Sequence, residues 1–167
     1  MTQAEFAARH HSDVSGGWLR AAVFGAMDGL VTSIALVAGV DGGGGTRPLV
    51  ILTGMAGLVA GAFSMALGEF ASVDTQNDAV SHEVDVERTE IRLHPADEQA
   101  ELADMYEEMG LSRSTAEAVA REVHDDPELA VRVHVTQELG VDPDDQPSPW
   151  TAAVSSFLCF ALGGIVP

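Results

Sequence analysis

The 167-residue chain has no lysine and only eight arginines, against 26 acidic residues, for a net charge of -18 with histidine neutral. No basic patch exists to neutralise phosphates, which argues against a nucleic-acid partner. The missing lysine reads as codon usage or salt adaptation and carries no mechanism. A single cysteine, Cys159, rules out an intrachain disulfide framework and a Cys-rich zinc site. The first 17 residues are polar, with His10, His11 and Asp13, and lack the apolar core of a signal peptide. The Glu-x-x-His motif of ferritin-like di-iron bundles is also absent, which places a ferroxidase behind other readings.

What is present is sharply divided. The mean hydropathy of +0.13 and hydrophobic fraction of 46% describe neither half of the chain. Residues 74–146 hold 21 acidic residues against five arginines, a local net charge of about -16. Residues 19–70 hold few charges. A first apolar segment runs from Trp18 to Val40, roughly 35 Å as a helix and enough to cross a bilayer core. The run Gly42–Gly45 ends it and Arg47-Pro48 restarts the chain, predicting a helix hairpin. A second apolar segment, Leu49–Gly68, carries Gly54, Gly57, Gly61 and Gly68, small residues that let membrane helices approach closely. Two buried helices of a soluble protein remain the alternative.

The acidic region reads as a small helical bundle. Asp74–Leu93 continues the second segment without a break, and His94-Pro95 ends it. Ala96–Met109 follows and stops at Gly110. Ser112 or Ser114 caps a third helix ending near His124, and Asp126 with Pro127 opens a fourth, which Gly140 stops. The apolar stripes are Leu102, Met105 and Tyr106, then Ala116, Val119 and Ala120, then Leu129, Val133 and Leu139. A linker, Asp142–Pro149, leads to a third apolar segment from Trp150 to Pro167. The domain reading is therefore a polar segment 1–17, two membrane helices in 18–70, an acidic helical domain with its linker in 71–149, and a third membrane helix in 150–167 cut short. The fold class is all-α.

Polar groups inside membrane segments are costly and mark pathways. Asp28 lies mid-segment with Thr32 one turn on, although a turn at Asp28-Gly29 is the structural alternative. Met65 and Glu69 follow Gly57 and Gly61 at four-residue spacing, offering a soft thioether and a hard carboxylate. Plain packing explains Met65 equally well, and an interfacial position would explain Glu69. In the bundle, Glu87 and Glu90, Glu98 and Glu101, and His134 and Glu138 are pairs at helical spacing. Carboxylates with one imidazole favour ferrous iron, manganese or zinc over copper. A solvated acidic face, with Arg88 and Arg92 absorbing charge, is the competing reading.

Three stretches carry a resemblance. Leu19–Val31 resembles the opening of the vacuolar iron transporter family, Ser64–Ser72 the end of its second membrane helix, and Glu138-Leu139-Gly140 with the following linker its entry into the third. The resemblance implies a non-enzymatic, homodimeric carrier with five membrane helices and a cytosolic metal-binding domain, with two further helices expected beyond Pro167. It implies export or vacuolar sequestration of ferrous iron or manganese in exchange for protons, across the cytoplasmic membrane in a bacterium. It assigns Glu87, Glu90, Glu98, Glu101, His134 and Glu138 as metal ligands, and Asp28, Met65 and Glu69 to the pathway. The family often has methionine where this chain has His134, and imidazole protonation there implies a more pH-sensitive site. No prosthetic group is implied. A membrane-anchored metal sensor or buffer without transport is the remaining alternative.

Overall fold

The computed structural model describes residues 18–167, so the polar segment 1–17 lies outside the described residues. Six helices follow in order: α1 Trp18–Gly42, α2 Arg47–Leu93, α3 Pro95–Glu108, α4 Arg113–His124, α5 Pro127–Leu139 and α6 Pro149–Gly164. The described residues form no strand, and the fold is all-α. The described residues divide into two compact units, 18–74 with 147–167, and 75–146.

Local chemistry sets each boundary. Gly44 takes φ +80° after α1, a left-handed conformation that suits glycine. The 47-residue α2 runs through the junction of apolar and acidic sequence without a break. His94 ends it, and Pro95 starts α3 at a position where its missing N–H is harmless. Ser112 Oγ accepts from Thr115 N at α4, and Asp126 Oδ1 accepts from Glu128 N and Leu129 N at α5. Gly110 (φ +102°) and Gly140 (φ +67°) close α3 and α5. Ser148 caps α6, which opens at Pro149, one residue before the expected Trp150.

In the first unit, α1 and the N-terminal part of α2 are long and apolar enough to cross a membrane. Their large apolar side chains point outward: Phe24, Met27 and Val31 on α1, Leu52, Phe63 and Leu67 on α2. Polar solvent on those faces would be unfavourable, whereas lipid would not. Helix α6 packs tightly on α1. A Cβ on Gly29 would lie 2.1 Å from the Phe160 carbonyl oxygen, and one on Gly163 would lie 2.0 Å from that of Ala26. The close backbone approach expected of the second-segment glycines is thus made by Gly29 and Gly163. Gly57 and Gly61 receive side chains instead, those of Leu36 and Phe160, while Gly68 has open space around it among the described residues. Phe63–Phe157 and Phe70–Trp150 edge contacts, at 5.2 and 4.9 Å, join α2 to α6. Gly29→Ala is therefore expected to destabilise the chain by about 1–3 kcal/mol. Gly68→Ala is expected to be neutral or mildly stabilising. Thermal unfolding of both variants in detergent checks this.

The second unit has two small apolar clusters. Leu102, Ala103, Ala116 and Ala120 join α3 to α4, flanked by Met105, Tyr106 and Val133. Ile91, Ala130, Val131 and Val135 join α2 to α5. The α5 stripe differs from the sequence reading. Leu129 and Leu139 are exposed, and the buried face is Ala130, Val131, His134 and Val135. Val133 of the expected stripe is half-buried against the α3–α4 cluster, but α5 also turns the polar His134 inward, which apolar content alone does not reveal.

Candidate metal centre

Three of the four helices of the second unit contribute to one cluster. Glu87 and Glu90 come from the end of α2, Glu98 and Glu101 from the start of α3, and His134 and Glu138 from α5. His134 sits at the centre with 0% exposure. Its Nδ1 lies 3.1 Å from Glu87 Oε1, 3.6 Å from Glu138 Oε1 and 3.8 Å from Glu98 Oε2. Glu87, His134 and Glu138 each offer a ligand atom within 4.8 Å of the others, close enough to share one ion. Glu101 makes no such close contact, but its charge acts on Glu87, Glu98 and Glu138. Glu90 acts on Glu98 and also lies 3.8 Å from exposed His94 on the helix surface. All six residues singled out in the sequence therefore fall in one electrostatic neighbourhood.

The cluster is poorly compensated. The Nδ1–Oε1 contact between His134 and Glu87 is short but lacks hydrogen-bond geometry. Both atoms, and His134 Nε2, are buried with no hydrogen-bond partner among the described residues. Arg88 pairs with Asp85 and Glu128, Arg113 with Asp104, Glu107 and Glu117, and Arg132 with Asp144. Those arginines bind acids outside the cluster, so the expected absorption of charge by Arg88 does not occur at the site. Burial raises the Glu87 carboxyl to about 7, aided by the charges of Glu138, Glu98 and Glu101 and a hydrogen bond with Glu98. Burial and neighbouring carboxylates also raise Glu98 and Glu138.

His134 goes the other way. Burial, then the charge of His124, pushes its imidazole down to about 4. The expected pH sensitivity at His134 is thus corrected: the imidazole stays neutral through the physiological range, and Glu87 is the group that titrates there. A neutral imidazole and a set of carboxylates that resist joint ionisation can do one thing well. They can exchange protons for a divalent cation.

In the first unit, Thr32 Oγ1 donates to Asp28 Oδ1 at 3.4 Å within α1. Residue 28 lies inside the continuous helix, so the alternative turn at Asp28-Gly29 does not form. Asp28 is exposed on α1, while Met65 and Glu69 are half-buried on α2. No hydrogen bond or ion pair joins these three among the described residues.

One neighbour escaped the sequence reading. His124, the last residue of α4, stands 5.2 Å from His134, ring edge to face at 83°. Its place four residues after Ala120 and eight after Ala116, on the apolar stripe of α4, was the available signal.

Similarity to known proteins matches this architecture. A protein of Acanthamoeba castellanii named vacuolar iron transporter is 35% identical over 160 residues, covering 95% of this chain and 58% of that protein. A Toxoplasma gondii protein of the same name is 31% identical over 95% of this chain and 53% of its own length. Vacuolar iron transporter 1 of Arabidopsis thaliana is 28% identical over 95% of this chain and 64% of its own length. The chain thus spans somewhat more than half the length of these relatives. Residues 19–167 match the VIT family, a stretch that takes in all the described helices from Leu19 onward, and the chain belongs to that family.

Proposed function

We propose that this chain is the portion of a divalent-metal carrier that gathers ferrous iron or manganese from the cytosol and begins its passage across a membrane. The observation that supports this most strongly is fully buried His134, with neither ring nitrogen hydrogen-bonded, set against three carboxylates. A divalent cation would supply the positive charge that the arginines do not. Glu87, Glu90, Glu98, Glu101, His134 and Glu138 are the ligand set, mostly hard oxygens with imidazole, which suits cations of intermediate softness. The names of the relatives support iron as one cargo.

Proton exchange follows from the same groups. Glu87, held to about 7, must give up its proton to bind metal, so capture in the cytosol releases protons and acidity on the far side favours metal release. Asp28, Met65 and Glu69 form the membrane pathway in this reading, and two copies of the chain build it as a homodimer. The setting is a bacterial cytoplasmic membrane with the acidic unit on the cytosolic side.

Two measurements test the proposal. Isotopic iron and manganese uptake into vesicles containing the protein is expected to respond to an imposed pH gradient. Uptake indifferent to the gradient overturns the exchange mechanism, and binding without uptake favours a buffer. Glu98→Ala with Glu101→Ala is expected to weaken Mn2+ binding by the purified chain about 10-fold or more. Unchanged affinity overturns the ligand assignment.

A further inference from the structure

His124 has no role in the ligand set above, yet one of its ring nitrogens is buried and unpartnered among the described residues, beside His134. Its Nδ1 lies 2.9 Å from the carbonyl oxygen of Ala120. A carbonyl oxygen only accepts, so Nδ1 carries the ring proton and Nε2 keeps its lone pair. Nε2 is buried with no hydrogen-bond partner among the described residues. Metal-binding histidines show this arrangement: one ring N–H anchored on a backbone carbonyl, the other nitrogen free for the ion.

The surroundings point to the same ion. The His124 ring is in edge-to-face contact with His134, whose Nδ1 faces Glu87, Glu98 and Glu138. Two imidazoles in contact, on α4 and α5, therefore stand at one carboxylate cluster, and three of their four ring nitrogens lack hydrogen bonds among the described residues.

We infer that His124 is a further ligand of the carboxylate centre, giving it two imidazole nitrogens. The inference rests on the metal-binding reading above. A second nitrogen shifts the donor set away from all-oxygen character. It favours Fe2+, Co2+ and Zn2+ over Mn2+, which carboxylate oxygens serve well. His124 is then a selectivity-determining residue of the capture site. A purely structural His124, tying the end of α4 to Ala120, would not change the order in which cations bind.

The test uses the full chain in detergent, titrated with Co2+ and with Mn2+. His124→Phe keeps an aromatic ring without a donor, and His124→Gln keeps polarity without imidazole. Both are expected to lose about 10-fold or more in Co2+ affinity. Mn2+ affinity is expected to stay within about threefold, so the Co2+/Mn2+ preference falls. Pulsed electron paramagnetic resonance of the Mn2+-loaded wild type is expected to show nitrogen couplings from two imidazoles, and His124→Phe from one. The wild-type spectrum counts nitrogens without any substitution, so it decides the matter even where a variant misfolds. A single coupled imidazole in the wild type, or an unchanged cation preference in folded variants, overturns the inference. If Glu87→Gln weakens Co2+ binding while His124→Phe changes nothing, only this inference fails. If the wild type binds no Co2+, or binds it regardless of Glu87→Gln, the metal-centre reading fails with it.

Discussion

Acidifying the purified chain from pH 8 to pH 5 is expected to weaken Mn2+ binding about 100-fold through Glu87 alone. The cause is proton competition. Glu87 titrates near 7, so at pH 8 it is mostly ionised and at pH 5 about one chain in a hundred is ready to accept metal. Burial and neighbouring carboxylates raise Glu98 and Glu138 in the same direction. His134 does not contribute, because burial keeps its pKa near 4, below the whole interval. Substituting Glu87 by Gln lowers affinity at pH 8 and flattens the dependence that remains. Titration calorimetry at four pH values checks this, and comparison of buffers with different ionisation heats counts the protons released.

The metal-free chain is expected to show opposite pH slopes of stability in two variants. Glu87 has a folded-state pKa of about 7, raised from an ordinary 4.5. The folded chain therefore holds its proton more tightly than the unfolded chain. The associated stability is fully present below about 4.5 and lost as pH rises through about 7. His134 has a folded-state pKa of about 4 against 6.5, so the folded chain resists its protonation. That contribution is present above about 6.5 and lost as pH falls through about 4. In the wild type these two contributions largely cancel between pH 5 and 8. In His134→Met only the carboxyl term survives, and acidification from pH 8 to 5 is expected to stabilise the chain by about 2–3 kcal/mol. In Glu87→Gln the imidazole term is unmasked, and the same change is expected to destabilise it by about 2 kcal/mol, reduced by the raised Glu98 and Glu138. Denaturant or thermal unfolding at the two pH values distinguishes them. Parallel slopes in the two variants would show that burial does not set these pKa values.

The sequence made the helices legible because their punctuation is local. Pro95, Ser112, Asp126, Gly110 and Gly140 each act within one turn, and each boundary falls within a residue or two of its expected place. The apolar length of the first two segments was equally plain, since it depends on composition alone. The spacing of Glu87 with Glu90, Glu98 with Glu101, and His134 with Glu138 placed each pair on a helix face but did not bring the pairs together; the family resemblance selected them. Three features were out of reach for a physical reason. The inward face of α5 is expected at Leu129, Val133 and Leu139, of which only Val133 packs on a core cluster, because hydrophobic patterning assumes that polar residues face water. His134, fully buried on α5, breaks that assumption. The titration of Glu87 rather than His134 depends on burial, which no single helix reveals. His124 depends on a contact between helices α4 and α5, ten residues apart in sequence and in ring contact in space.

The most direct test of the central claim is to locate the ion. Crystals of the chain grown anaerobically with Fe2+, with diffraction recorded at the iron absorption edge, give an anomalous map that shows only the metal. The expected result is a strong peak within bonding distance of Glu87, Glu98, His134 and Glu138, lost in Glu87→Gln. A map whose iron peaks all lie elsewhere, with the carboxylate cluster showing none, would contradict the claim that this acidic bundle captures the transported metal.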